Sequence, residues 1–122
     1  MRQGPALMKK IYFIERDRFL REFYEGFGKK YGVECYTDDS GIESTYIIKD
    51  MAPDVISLDV KTAIEVGLDE MMNVLNEEVI SQIPVVLIQN PDEDLPEVLA
   101  KRAKKVLVRP LAIERLIDDL LE

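Results

Sequence analysis

Histidine is absent from this chain, and cysteine occurs once. Without imidazole there is no histidine base, no phosphohistidine relay within the chain and almost no route to a zinc site. The lone Cys35 cannot close an internal disulfide, which fits a reducing cytoplasm. It falls in an apolar-leaning segment and reads as a small core residue rather than a reactive thiol. Positive charge is also scarce: 16 Lys and Arg stand against 24 Asp and Glu, a formal charge of −8. That balance argues against non-specific nucleic-acid binding and against anionic membranes. No apolar run reaches the length of a membrane span. The first residues lack the apolar stretch of a signal peptide. Met8-Lys9-Lys10 offers a second candidate start. Residues 1–8 are therefore expected as an N-terminal tail and 9–122 as one domain, long enough for one ordinary core.

What the chain does have is alternation. Lys10-Ile11-Tyr12-Phe13-Ile14 is a continuous apolar run of the kind buried on both faces of a parallel sheet. Further strands are expected over 33–37, 55–58, 83–88 and 106–108. Between them the period lengthens to that of helices. Asp17 is the expected N-cap of the first helix, with Phe19, Phe23 and Phe27 as its stripe, Leu20 and Tyr24 beside them, and Gly28 and Gly32 at its end. Helices follow over 42–51 (Tyr46, Ile47 and Met51 inward), 69–77 (Met72, Leu75 and Val79), 95–103 and 113–121. Residues 60–64 read as a loop or irregular turn, and Gly67 as an interruption. Five strands alternating with five helices, with no hairpin turn between them, predict an α/β fold. It has three layers: a five-stranded parallel sheet between helices, joined by right-handed crossovers.

The stretch Pro53-Asp54-Val55-Ile56-Ser57-Leu58-Asp59 organises the rest. Its apolar strand runs into an acid. Taken alone, Asp59 reads as a helix cap or turn residue. A second acidic strand end, at Glu15, changes that. In the strand order 2-1-3-4-5, strands one and three meet at the topological switch point, where ligands bind. Glu15, Arg16 and Asp59 should therefore converge, with Gln89 and Arg109 flanking.

These residues resemble the receiver domains of response regulators in bacterial two-component signalling, over nearly the whole chain from Lys9. The matching pieces are Lys9-Lys10-Ile11-Tyr12-Phe13-Ile14-Glu15-Arg16, the Asp59 stretch, Gly67 eight residues on, Pro84 opening strand four, and Arg109-Pro110 closing strand five. The resemblance implies a flavodoxin-like (βα)5 fold and a role in phosphorelay signal transduction rather than catalysis. It makes Asp59 the candidate phosphoacceptor, a carboxylate nucleophile. It also implies a magnesium ion, held by Glu15, Asp59 and the backbone carbonyl of Lys61, that offsets charge on the phosphoryl oxygens. Its implied partner is a sensor histidine kinase or another signalling protein.

The departures point one way. Arg16 stands where the second acid belongs, Gln89 where a hydroxyl belongs, and Arg109 where a lysine belongs. Ala63 replaces a proline, and Val106 an aromatic residue. Together they describe an atypical receiver with weak or absent magnesium-dependent phosphorylation, acting through protein–protein contacts. An Arg16–Asp59 ion pair offers a replacement for the metal. At ~4 Å it would be worth about 4 kcal/mol of Coulomb energy at an effective dielectric of 20, and far less net in a wet crevice. The alternatives are a conventional phosphorylatable single-domain regulator and a small flavodoxin-like enzyme. The enzyme lacks support: no Gly-rich phosphate loop follows strand one. The basic cluster Lys101, Arg102, Lys104 and Lys105 and the acids Glu114, Asp118 and Asp119 suggest a monomer or weak homodimer through 95–122. No output domain follows the last helix, so a stand-alone regulator or an excised receiver is expected.

Overall fold

The computed structural model describes residues 8–122, so the expected tail lies outside the described residues except for Met8. The strands are β1 (Lys10–Ile14), β2 (Glu34–Asp38), β3 (Val55–Asp59), β4 (Val85–Gln89) and β5 (Lys105–Val108). All neighbours pair in parallel, in the order β2-β1-β3-β4-β5. The helices are α1 (Arg18–Tyr31), α2 (Thr45–Met51), α3 (Val60–Val66), α4 (Leu68–Leu75), α5 (Glu97–Arg102) and α6 (Leu116–Leu121). No helix among the described residues is long and apolar enough to cross a membrane.

Strand side chains alternate between two cores, as the two-residue period requires. Ile11, Phe13, Val55, Val86 and Ile88 face Tyr24 and Phe27 of α1 and Leu116 and Leu120 of α6. Tyr12, Ile14, Ile56, Leu58, Val85 and Leu87 face the other helices, among them Ile48, Ala63, Met71, Leu75 and Leu99. The sheet is therefore covered on both faces, and its ligand crevice is left at the carboxyl rim.

The helix faces differ from the sequence reading in detail. Phe19 and Phe23 are exposed, while Tyr24 and Phe27 are buried as expected, together with Gly28. A strict four-residue repeat drifts around a helix of 3.6 residues per turn, so the stripe leaves the core at its N-terminal end. In α2 the fully buried residue is Ile48, while Tyr46 is exposed. In α4 the buried set is Met71, Val74 and Leu75, and Val79 lies beyond the helix end, exposed.

The largest departure follows β3. Residues 60–64 are not a loop but the first turns of α3, so two helices rather than one bridge β3 and β4. The cause is a cap: the Asp59 carboxylate accepts from the Thr62 backbone N–H, which starts the helix at once. Gly67, at φ 117°, then breaks α3 from α4. That left-handed backbone favours glycine.

Candidate functional site

At the rim, Glu15 follows β1, Asp59 ends β3 and Arg109 follows β5. The Arg109 guanidinium bridges both acids. Its Nη1 donates to Asp59 Oδ1 at 2.9 Å and its Nη2 to Glu15 Oε1 at 3.0 Å. The side chains are 20 % exposed for Arg109, 5 % for Glu15 and 7 % for Asp59. Water screens such pairs poorly. Nη1 also donates to Asn90 Oδ1 at 3.3 Å.

The other carboxylate oxygens are engaged as well. Asp59 Oδ2 accepts from Thr62 N and Thr62 Oγ1, both at 2.8 Å. Glu15 Oε2 accepts from Asp17 N at 3.1 Å. The fully buried Thr62 hydroxyl accepts in turn from Arg16 N at 2.9 Å. Thr62 thus ties the β1–α1 loop to the β3–α3 junction. Arg21 fixes the same loop from outside, its Nη1 donating to the carbonyls of Glu15 and Arg16. Among the described residues, no buried side-chain nitrogen or oxygen lacks a partner.

Burial pushes the Glu15 carboxyl above the ordinary glutamate range. The Asp17 N–H works against that shift, and the Asp59 charge adds to it more than Arg109 relieves. Burial also works against the charge on Arg109, but the hydrogen bond and field of Asp59 outweigh it and hold the guanidinium above its ordinary value.

The expected site residues separate into two groups. Glu15, Asp59 and Arg109 converge. Arg16 does not reach Asp59: its guanidinium lies 3.8 Å from Glu65, and both side chains are about half exposed. The expected Arg16–Asp59 pair is thus corrected to Arg109–Asp59. The reason is direction. Residue 16 lies just past the strand end, where its side chain turns outward over α3. Gln89 also turns away, donating from Nε2 to the Glu93 carbonyl at 2.6 Å. Asn90 takes its place on the crevice wall, together with Lys61 and Thr62. Thr62 is the residue the sequence reading misses; Asn90 stands on the rim beside Gln89, in the flanking place expected of Gln89. The spacing Asp59-x-x-Thr62 is a capping pattern and could have flagged Thr62.

The crevice has a volume of about 500 Å³. The magnesium ion implied by the sequence resemblance does not fit the donors it offers. Magnesium demands near-octahedral oxygen ligands. Here the inner oxygens of both acids face a guanidinium, and Arg16 supplies no carboxylate. The Lys61 carbonyl belongs to the first turn of α3. Among the described residues, no cluster of three or more acids, cysteines or histidines is arranged to hold a metal.

The basic cluster expected near the C-terminus is also largely taken up within the domain. Arg102 turns inward and donates to the carbonyls of Leu75, Ile80 and Ile83. Lys101 pairs with Glu97, and Arg115 with Asp119.

No protein-family pattern and no curated protein sequence matches this chain. Solved structures do. The receiver domain of the sensor histidine kinase PA1611 from Pseudomonas aeruginosa, solved with magnesium in its active-site cleft, superposes with a TM-score of 0.75 at 14% identity, covering 93% of this chain and 94% of that one. The Vibrio cholerae chemotaxis protein CheY4 gives 0.73 at 19% identity, covering 93% and 96%. NtrX from Brucella abortus, solved with ADP, gives 0.72 at 23% identity, and the match covers 93% of this chain but only 25% of that one. All three superpose over nearly the whole of this chain, so the chain has the fold of the response-regulator receiver domains.

Proposed function

We propose that this chain is an atypical receiver module of phosphorelay signalling, phosphorylated weakly or not at all at Asp59 and acting through protein–protein contacts. The observation behind this reading is the Arg109 guanidinium seated between Glu15 and Asp59. Transfer of a phosphoryl group to a carboxylate needs a free oxygen in line with phosphorus and a cation on the phosphoryl oxygens. Here the carboxylate oxygens are held by Arg109 and Thr62, and the cation is already part of the protein. The amide of Gln89 faces the Glu93 carbonyl rather than the crevice. On this reading the module is not an enzyme, and it binds neither nucleic acid nor membrane. It works in the cytoplasm beside a sensor histidine kinase or another signalling protein. It is a monomer or weak homodimer, and the expected tail over 1–8 and domain over 9–122 stand as proposed.

A conventional phosphorylatable regulator is the second reading. The open crevice above Asp59 favours it, because about 500 Å³ leaves room for a phosphoryl group once Arg109 swings aside. Incubation with a small-molecule phosphodonor and magnesium, followed by intact mass, separates the two. The first reading expects the unmodified mass. A one-phosphoryl gain that Asp59→Asn abolishes establishes the second.

A further inference from the structure

The outer face of α1 is only partly packed within the domain: Phe23 stacks on Phe27 and meets Tyr24 edge-on, while Phe19 stands in solvent. Phe19 is 83% exposed and Phe23 41%. Gly26 sits mid-helix with nothing within 4 Å of where a Cβ would be. A glycine there weakens a helix relative to alanine. Gly28 has a reason, since its Cβ would stand 2.6 Å from Cys35 Sγ. Gly26 has none among the described residues. A hollow of about 330 Å³ lies over it, walled by Glu22, Phe23, Phe27, Lys30, Tyr31 and Ile113.

Phe19, Phe23, Gly26 and Lys30 recur at intervals of four, three and four, the spacing of a seam between two helices. Glu22 and Lys29 flank that seam on one side, and both are exposed; Glu22 also pairs with Arg18 one turn back, a solvent-exposed contact. The pattern is self-complementary in one orientation only. Laid antiparallel on a second copy, Phe23 projects over the partner copy's missing side chain at position 26, large into small. The Lys30 ammonium, 5.5 Å from the centre of its own Tyr31 ring, turns to the ring at position 19 of the second copy, a cation–π contact. Glu22 and Lys29 face each other's counterparts with opposite charge. A two-fold axis makes each contact twice. Laid parallel, the same face sets ammonium against ammonium at position 30 and leaves a void between the two glycines.

We propose that α1 is a homodimer interface, formed by antiparallel packing of the Phe19–Phe23–Gly26–Lys30 seam against a second copy. The helix is 14 residues long, about 21 Å at 1.5 Å per residue. One such helix per subunit buries less than the ~1,600 Å² of a standard interface, so the dimer is weak and concentration-dependent. This places the contact on α1 rather than on 95–122, and it holds whether or not Asp59 is phosphorylated.

Sedimentation equilibrium on the whole chain tests this. Wild type should dimerise reversibly. Phe19→Ser and Gly26→Gln should each weaken dimerisation at least about tenfold. Gly26→Gln should also raise the melting temperature of the monomer, because it removes an exposed mid-helix glycine. A purely structural Gly26 cannot produce that opposition of stability and association. Glu22→Lys and Lys29→Glu should each weaken the dimer, and the double exchange should recover most of the loss. A wild type that stays monomeric at millimolar concentration overturns the proposal, including where α1 is found to bind a helix of another signalling protein instead. A dimer indifferent to Phe19→Ser and Gly26→Gln overturns it equally.

Discussion

Arg109 Nη1 lies 2.9 Å from Asp59 Oδ1, and the remaining branch of the same guanidinium holds Glu15. One cation therefore ties together the ends of β1, β3 and β5, reaching past β4 along the carboxyl rim. Both acids are nearly buried, and two like charges so placed repel unless something stands between them. In this chain that something is a side chain.

Removing it should be costly. Arg109→Ala leaves two nearly buried carboxylates without their counter-charge, and about 3 kcal/mol of stability should be lost. Arg109→Lys keeps the charge but cannot reach both acids with a planar fork, so its loss should be intermediate. Urea unfolding at neutral pH measures both. An Arg109→Ala protein as stable as wild type would show that the bridge does not form.

Thr62 is the second tie at the rim. Thr62→Val keeps the shape but removes the hydroxyl that donates to Asp59 and accepts from Arg16. The Arg16 N–H then loses its partner, and a cost of about 1–3 kcal/mol is expected. A loss below a few tenths of a kcal/mol in the same unfolding assay contradicts this role.

Two acids should show opposite pH dependence. Burial raises the Glu15 carboxyl, so its contribution to stability is full below the unfolded value and lost as pH rises through the raised folded value. Glu15→Gln should therefore be more stable than wild type at neutral pH, with the gain vanishing in acid. Asp38 behaves the other way. Burial raises it, but hydrogen bonds from Tyr12, Ser44 and the Ser40 and Gly41 amides outweigh burial and lower it. Its contribution is present above the unfolded value and lost as pH falls through the folded one. Asp38→Asn should remove part of the acid-induced loss of stability. Melting curves from pH 3 to 8 decide both signs.

Magnesium affinity should not return with one substitution. Arg16→Asp supplies the missing carboxylate, yet Arg109 still occupies Asp59 and Glu15. The double variant Arg16→Asp with Arg109→Lys should bind magnesium measurably in calorimetric titration, while wild type should not. Ordinary saturable binding by wild type would show that magnesium does fit these donors.

The strands, their order and the convergence of Glu15 with Asp59 were legible because they rest on period and topology. Which arginine meets Asp59 was not. Arg16 is next to Glu15 in sequence, but the choice depends on side-chain direction past a strand end, and Arg109 reaches across from β5. The start of α3 is not legible, because an apolar residue followed by a lysine after Asp59 carries no strong helix signal. The cap that settles the matter lies three residues on, at Thr62. The outward direction of Phe19 is hidden for a different reason. Periodicity locates a stripe, but it does not say whether that stripe meets the domain's own core or another surface.

The central claim is that Arg109 and Thr62 hold Asp59 in place of a metal and so keep it from phosphoryl transfer. The most direct test is an intact-mass time course with a small-molecule phosphodonor and magnesium. It compares wild type with the triple variant Arg16→Asp, Gln89→Thr and Arg109→Lys. The account expects wild type to stay unmodified while the triple variant gains one phosphoryl group, lost again when Asp59→Asn is added. Wild type gaining that group as fast as the triple variant would contradict it.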